Sequence, residues 1–363
     1  MIAAERTAGD RTDERVETLQ IELPGIGEPE TLVRRRRAVS PPGPGQVLVR
    51  TEATGVSYAE QQMRLGKYYD QPPFPFVPGY DLVGTVERLG LGATAELREG
   101  QRVAAVTKTG AWAERVVLDA GDLVPVPAGI DAVVAETVIV NGITAWRMLH
   151  RIARPPAGSR VVVLGAAGGV GSVLVQLARA AGLGVIGVGS TKQQAAIAEL
   201  GATPVDYRTE DVSSRVAQIA PAGVAAVFDH VGGDGVVDSW RMLARGGTLV
   251  CYGTAATKDQ PGNARIPVLK FFARLALWNA RPNGRRATFF NLWAGSRRRN
   301  RFRAELRNDL EQVFGLLRDG ELKPRVAAEY PLSDAAAALR FAERRGVVGK
   351  VVLLPDPSSP PAA

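Results

Sequence analysis

Apolar positions change their period near residue 130, and the change divides the chain into two kinds of architecture. Ahead of it, residues 18–23, 32–39, 46–54, 82–89, 102–106 and 113–118 are short runs bounded by turn residues, which predicts a β-rich module. Its loops are heavily punctuated: Pro41-Pro-Gly-Pro-Gly45 and Pro72-Pro-Phe-Pro-Phe-Pro-Gly79 predict stiff segments of the kind that shape a cleft. From Asp131 onward, short branched-apolar runs alternate with helical patterns. Strands are predicted at 161–164, 185–188, 204–206, 225–229 and 248–252 with helices between them, the pattern of a doubly wound parallel sheet. Helices at 305–318 and 333–344 precede a closing strand at 350–354. The polar stretch up to Val16 and the tail 355–363 are expected to be disordered.

Within the second region, Val161-Val-Val-Leu-Gly-Ala-Ala-Gly-Gly-Val-Gly-Ser172 joins a strand pattern to a glycine turn and then to a helix. Four branched apolar residues suit a strand covered on both faces, and Gly165, Gly168 and Gly171 follow at intervals of three. Val170, Val173, Leu174, Leu177, Ala178 and Ala181 then recur at helical spacing. Glycine lets the backbone turn sharply and approach a pyrophosphate, and the free N–H groups of the helix face the anion. The stretch therefore predicts a dinucleotide site, although a glycine triplet in isolation also occurs in ordinary tight turns.

The next strand ends at Gly189-Ser190-Thr191-Lys192, where NAD-selective sites place a carboxylate for the ribose hydroxyls. No Asp or Glu stands there. Two hydroxyls and an ammonium suit the additional 2′-phosphate of NADP, and Lys192 has the alternative of being a solvated lysine at a helix start.

Composition narrows the chemistry. The chain has 363 residues, 45% of them hydrophobic, enough for two cores. Neither an apolar leader nor a run long enough to span a bilayer stands out, the longest apolar stretch being 161–175, so a cytoplasmic protein off the membrane is expected. Cys251 is the single cysteine, which forbids an intrachain disulfide. With only Cys251, His150 and His230 available, and both histidines in structural-looking contexts, no zinc site is expected. Without a metal, an already electrophilic conjugated acceptor is the easier substrate. The net charge of +8 gathers in Arg281, Arg285, Arg286, Arg297 to Arg299, Arg301 and Arg303, interleaved with Phe289, Phe290, Trp293 and Phe302. This cluster suits a polyphosphate tail or single-stranded nucleic acid, or is a solvated loop.

Several segments together resemble the medium-chain dehydrogenase/reductase superfamily, in its zinc-free quinone oxidoreductase branch that includes zeta-crystallin-like proteins. They are Gly55-Val-Ser-Tyr-Ala-Glu60, Arg64-Leu-Gly-Lys-Tyr68, Pro78-Gly-Tyr-Asp-Leu-Val-Gly84, Gly142-Ile-Thr-Ala145, the glycine turn, Tyr252-Gly253 and Gly349-Lys350-Val-Val. The resemblance spans residues 18–354. It implies an α/β protein with a GroES-like, β-rich catalytic domain (17–128 and, on return, 303–354) and a doubly wound Rossmann NADP-binding domain (129–302). It further implies a homodimer using NADPH without zinc.

Carried over position by position, the resemblance places Thr144 near the nicotinamide carboxamide and Gly168, Gly169 and Val170 at the pyrophosphate. Ser190, Lys192 and Tyr207 fall at the 2′-phosphate, with Arg208 assisting. Tyr252 and Gly253 fall at the ligand edge of the fifth strand, and Lys350 returns to the cofactor phosphates. Tyr58 and Tyr68, on loops facing the nicotinamide, are the catalytic candidates, Tyr68 matching the proton-donor tyrosine of related enoyl reductases. The chain departs from the family in Ser57 for asparagine, Glu60 for aspartate and Asp81 for glutamate, which bears on the acceptor. The expected function is NADPH-dependent reduction of a small electrophilic acceptor, a quinone or an α,β-unsaturated ketone. Reduction of an enoyl-CoA or enoyl-carrier-protein thioester is an alternative, and an NADPH-binding RNA-binding or regulatory protein is one of another class.

Overall fold

In the computed structural model, residues 15–94, 96–253, 265–344 and 346–357 are described, with the backbone alone for 265–269. The elements begin with β1 (Val16–Glu22), β2 (Val33–Val39), β3 (Gln46–Val56), α1 (Tyr58–Arg64), β4 (Asp81–Leu89), β5 (Arg102–Val106), β6 (Arg115–Asp119) and β7 (Val124–Pro125). There follow α2 (Ala132–Trp146), β8 (Arg160–Leu164), α3 (Gly169–Ala180), β9 (Gly184–Gly189), α4 (Gln194–Glu199), β10 (Thr203–Asp206), α5 (Val212–Ile219), β11 (Val224–Asp229), α6 (Val236–Arg241) and β12 (Leu243–Cys251). The last are α7 (Arg265–Asn279), β13 (Arg286–Phe289), α8 (Arg299–Arg318), β14 (Val326–Pro331), α9 (Ala335–Ala342) and β15 (Lys350–Leu354).

The chain forms two compact units. One holds the residues up to Val140, Val326–Glu343 and those from Lys350 on; the other holds Asn141–Arg325 and Arg344–Gly349. These divisions differ from those expected at 128/129 and 302/303. The reason on the C-terminal side is α8, which packs in the second unit: Arg147 and Arg151, on the π-helical turns that continue α2, both reach its buried Asp309. The disorder expected for the two ends falls mostly outside the described residues, and Val16 already belongs to β1.

In the first unit, β14-β15-β3-β4-β5-β7 form a seven-stranded sheet together with β6, which pairs with β3, while β1 and β2 form a separate pair. Val47, Val49, Leu82, Val86 and Val103 supply the inward positions of one core. A second core joins Trp112 and Val56 to Leu339 of α9 and to Val351 and Leu353 of β15. α1, unforeseen between the predicted strands, starts on a capping box: Ser57 accepts from the Ala59 N–H at 3.1 Å, and Glu60 accepts from the Ser57 N–H at 2.8 Å. Ser57 and Glu60, two of the departures from the family pattern, thus form one local device.

The second unit is a parallel sheet of order β10-β9-β8-β11-β12-β13. Val161, Val162 and Val163 of β8 are fully buried at its centre, as a strand covered on both faces requires. The chain reverses its winding direction between β8 and β11, and ligands of such sheets collect at the carboxyl ends of the strands at this point. β13 and α7 were not foreseen. Nor was the start of α8 at Arg299, which puts Arg299, Arg301 and Arg303 on a helix rather than on a loop. The buried residues Phe302, Leu306, Leu310, Val313 and Phe314 recur at helical spacing and account for it.

One helical stretch, Ala132–Ala153, is long and apolar enough to cross a membrane by length and composition, and 83% of its apolar window is buried inside the protein. A buried core helix explains its composition.

Candidate functional site

The glycine turn sits at the carboxyl end of β8. Gly165 has φ +67°, a left-handed conformation that side chains resist, and a Cβ there would lie 2.4 Å from the His230 ring. A Cβ on Gly171 would lie 2.1 Å from the Gly165 carbonyl oxygen, so this glycine lets α3 pack against the turn. Gly168 is the N-cap of α3 and brings no side-chain cap, which leaves the first N–H groups of the helix, including those of Gly169 and Val170, for an incoming anion. A Cβ on Gly169 would press on Asn141 at 2.7 Å. Gly349 closes one side of the turn: its N–H donates to the Ala167 carbonyl at 3.1 Å, beside Gly168.

Past the turn, the ends of β9 and β10 lie side by side, with Gly189 paired to Asp206. Ser190 caps a short turn through Gln193, its hydroxyl 3.0 Å from the Gln193 side-chain oxygen. Lys192 is exposed, and Tyr207 is 49% exposed with the Arg208 guanidinium 5.7 Å from its ring centre. One carboxylate escaped sequence reasoning: Asp206 stands at this edge. It is turned inward, however, and buried; the Thr191 hydroxyl holds it below the usual carboxylate range, and it accepts from the Arg208 N–H at 2.9 Å. Its carboxylate is therefore engaged with the protein; the exposed Glu210 accepts from the Asp206 N–H at 3.1 Å and pairs with Arg215, and the other outward groups are hydroxyls and cations.

Across the switch point, β11 and β12 end in His230 and in Tyr252-Gly253. Gly253 is packed so closely that a Cβ would lie 2.5 Å from the His230 carbonyl oxygen. The Tyr252 hydroxyl points to the Leu164 carbonyl at 3.5 Å, and burial pushes this phenol above its ordinary range. His230, read from the sequence as structural, lies directly against the turn. Burial lowers its pKa, and its Nδ1 is sealed from solvent with no partner among the described residues. Tight glycines, open helix N–H groups and an orphaned polar atom at a switch point together fit a dinucleotide. Thr144 is buried on α2 in the same unit.

Tyr58 and Tyr68 belong to the first unit. Tyr58 opens helix α1 and does not lie on a loop; Tyr68 follows that helix on one. The Tyr68 hydroxyl is 2.8 Å from that of Tyr80. Burial, reinforced by Tyr80 and Tyr69, pushes its pKa above the ordinary phenol range.

Lys350 requires a correction. Its ammonium is buried in the first unit, 2.7 Å from Asp81 and 2.6 Å from Glu136, and it donates to the Glu136 carbonyl at 3.3 Å. All three of its protons are thereby taken, which leaves none for cofactor phosphates. Burial opposes the charge, but the two carboxylates hold its pKa above the ordinary value. Glu136 in turn is raised by burial and by Asp81 against the pull of Lys350. Gly55 makes room for the group, since a Cβ there would lie 2.2 Å from the lysine chain. The shorter Asp81, where the family has glutamate, also accepts the Val140 N–H at 2.9 Å.

The basic cluster is divided among local partners. Arg285 packs 5.8 Å over Trp240 and donates to the Ala244 carbonyl, and Arg301 pairs with Glu305 on α8. Trp293, Arg297, Arg298, Arg301 and Phe302 line a cavity of about 440 Å³. Among the described residues no group of three or more His, Cys, Asp or Glu could hold a metal ion, and Cys251 is buried with its thiol pushed up by burial.

Known proteins share this arrangement. A family model described as alcohol dehydrogenase GroES-like domain matches residues 43–128, and one described as zinc-binding dehydrogenase matches residues 200–353. A quinone oxidoreductase of Pseudomonas aeruginosa is 31% identical over 340 residues, covering 93% of this chain and 99% of that protein. A 2-haloacrylate reductase of a Burkholderia species is 30% identical over 344 residues, 91% and 97% of the two chains. The crystal structure of Escherichia coli quinone oxidoreductase complexed with NADPH superposes with a TM-score of 0.81 at 26% identity, over 93% of this chain and 100% of that one. The chain belongs to the medium-chain dehydrogenase/reductase superfamily, in its quinone oxidoreductase branch, with a GroES-like part and a Rossmann-type part.

Proposed function

We propose that the protein is an NADPH-dependent oxidoreductase that reduces a conjugated carbonyl compound, a quinone or an α,β-unsaturated ketone. One observation carries the cofactor choice. At the ends of β9 and β10 stand Ser190, Lys192, Tyr207 and Arg208, while the carboxylates Asp206 and Glu210 are already bonded, Asp206 to the Arg208 N–H and Glu210 to the Asp206 N–H and to Arg215. A 2′-phosphate would meet donors and positive charge there and no free anion. The NADPH-bound Escherichia coli relative and the reductase that acts on a haloacrylate support the same reading.

In this reading Gly168, Gly169 and Val170 hold the pyrophosphate, Thr144, Tyr252 and Gly253 border the nicotinamide half, and Tyr68 gives a proton to the acceptor; Tyr58 borders the acceptor. The bound reduced nicotinamide supplies the hydride. Fixed positioning of the reactants is worth roughly 7–11 kcal/mol, which suits a reaction without a Lewis acid. The protein works as a homodimer of cytoplasmic type on a small electrophile.

Consumption of NADPH and of NADH should be followed with a panel of quinones and enones. NADPH-selective turnover of at least one acceptor is expected. Tight NADPH binding with no turnover of any acceptor above background refutes the enzyme assignment.

The cavity lined by Trp293, Arg297 and Arg298, with Arg301 paired to Glu305 beside them, favours a second reading, an enoyl thioester whose phosphate-bearing tail rests on Arg297 and Arg298. A kcat/KM for an enoyl-CoA no higher than for the matching free enone removes it.

A further inference from the structure

The chain between β13 and α8 builds one wall of a cavity that lies wholly within the second unit. It winds through successive turns: the Ala294, Ser296 and Arg298 N–H groups donate to the carbonyls of Asn291, Trp293 and Gly295 at 3.1, 3.1 and 2.9 Å, and Gly295 takes φ +88°, in the left-handed region. The Asn291 side chain accepts from the Trp293 N–H at 2.9 Å, and the buried Arg147 donates to the Leu292 carbonyl at 3.4 Å, which anchors the segment. This winding brings Trp293, Arg297 and Arg298 to one cavity of about 440 Å³, together with Arg301, Phe302 and Glu305 of α8. That volume falls within the roughly 300–1,000 Å³ of small-molecule sites.

Two kinds of recognition surface meet there. Trp293 is stacked with the buried Phe302, ring centres 5.7 Å apart and planes at 28°, and Phe302 carries the Arg147 guanidinium 5.5 Å from its ring centre. An indole held in this way is a rigid contact surface whose use costs little conformational entropy. The second surface is charge. Cations at the start of a helix oppose its positive dipole end, yet α8 opens with Arg298 as N-cap followed by Arg299 and Arg301, with no acidic residue in its first turn and no side-chain cap. Glu305, the carboxylate of the lining, is taken by Arg301 at 2.7 Å, whereas the exposed guanidiniums of Arg297 and Arg298 have no partner among the described residues. Beside Phe302, Arg147 and Arg151 share the single carboxylate of Asp309, and Arg147 Nη2 is buried without a partner among the described residues. Positive charge is therefore in excess in the lining and in the protein next to it, and a local rule broken in this way marks a functional site.

We propose that this cavity is a second nucleotide site, lined by none of the residues of the glycine turn, which takes a planar base against Trp293 and its phosphates on Arg297 and Arg298. A bare phosphate would engage only the arginines, and an apolar ring only the indole; a base that carries phosphates meets both. The inference goes beyond the reductase reading and does not depend on it. Two sources offer this chemistry, a free nucleoside diphosphate and the nucleotide end of a CoA thioester, of which the second reading above places the phosphates and not the base.

The test is a calorimetric titration of the protein loaded with one equivalent of NADPH, whose fluorescence reports any displacement from the glycine turn. ADP should bind without displacing NADPH, and inorganic pyrophosphate and adenosine should each bind about tenfold more weakly or worse. The double variant Arg297→Gln, Arg298→Gln should weaken ADP about tenfold or more and flatten its salt dependence, with NADPH Kd and Tm unchanged. Trp293→Leu should weaken ADP to the level of pyrophosphate; the exposed arginines keep the test decisive where that variant fails to fold. CoA binding more tightly than ADP assigns the site to the nucleotide end of a thioester, and CoA binding no more tightly assigns it to a free nucleotide; both support the site. No saturable ADP binding up to about 1 mM, or ADP binding untouched by the arginine variant, overturns the inference. Far tighter binding of an oligoadenylate than of ADP also overturns it, in favour of a nucleic-acid strand.

Discussion

Lys350→Met separates two roles for one residue, a phosphate contact and a buried structural cation. The structure puts Lys350 Nζ 2.7 Å from Asp81 and 2.6 Å from Glu136, with the three residues no more than 3% exposed. Methionine fills the volume but leaves two carboxylates facing each other without a cation. Removing one partner of a buried ion pair costs about 3–5 kcal/mol. At roughly 2–4 °C per kcal/mol for a unit of this size, Tm should fall on the order of 10 °C. The loss should also depend on pH. The Glu136 carboxyl already titrates well above its ordinary value of 4.5, and without Lys350 it moves further up. A carboxyl raised in the folded state contributes stability that is present below the unfolded pKa and is lost as pH rises through the folded one. The Tm deficit of Lys350→Met should therefore grow as pH rises above the ordinary carboxylate range. Adding Glu136→Gln removes the repulsion and should restore roughly half of the loss. Thermal melts followed by near-ultraviolet circular dichroism, with NADPH titrations on the same samples, decide the matter. A Tm within ~2 °C of wild type, together with weaker and less salt-sensitive NADPH binding, would refute the structural role and restore the phosphate contact.

Three other outcomes follow from the same coordinates. Gly171→Ala places a methyl 2.1 Å from the Gly165 carbonyl oxygen, so the turn must shift; a stability loss of about 1–3 kcal/mol and weaker NADPH binding by calorimetry are expected, and unchanged binding would argue against the turn as the pyrophosphate site. Lys192→Glu should weaken NADPH binding about tenfold or more while affecting NADH far less, as read by nucleotide fluorescence at fixed salt; equal losses for both would place the 2′-phosphate elsewhere. Burial raises the Glu60 carboxyl above its ordinary 4.5, so its contribution to stability is full below that pH and declines as pH rises through the raised value; Glu60→Gln should remove this decline in Tm, and parallel curves for the two proteins would show that Glu60 is not the group responsible.

Much of the second unit was legible from local sequence. A buried strand, a glycine turn and an amphipathic helix occupy one continuous stretch, and sterics within that stretch dictate the conformation of Gly165 and the fit of Gly171. The absence of a carboxylate at 190–192 was visible in the same way, because ribose recognition occurs at the end of the next strand. Helix α1 was hidden: its seven residues are too few for a period to show, and its evidence was the capping pair Ser57 and Glu60. β13 was hidden by its four-residue length and by Arg286 on an outer strand of the sheet, where charge is tolerated.

What the chain determined by itself is therefore the class of each part, since turn chemistry and hydrophobic period act over a few neighbouring residues. What only tertiary structure decided is the use of individual polar groups. Lys350 meets Asp81 across 269 positions and Glu136 across 214, and a lysine in a family motif does not disclose which anion will hold it. The same holds for Asp206, a strand-end residue whose carboxylate is held by Thr191 and Arg208, and for Tyr80, a motif residue whose hydroxyl meets that of Tyr68 only in the folded chain. A buried charge or hydroxyl must find its complement wherever the fold provides one, and that pairing is a property of the packed chain and not of its neighbours in sequence.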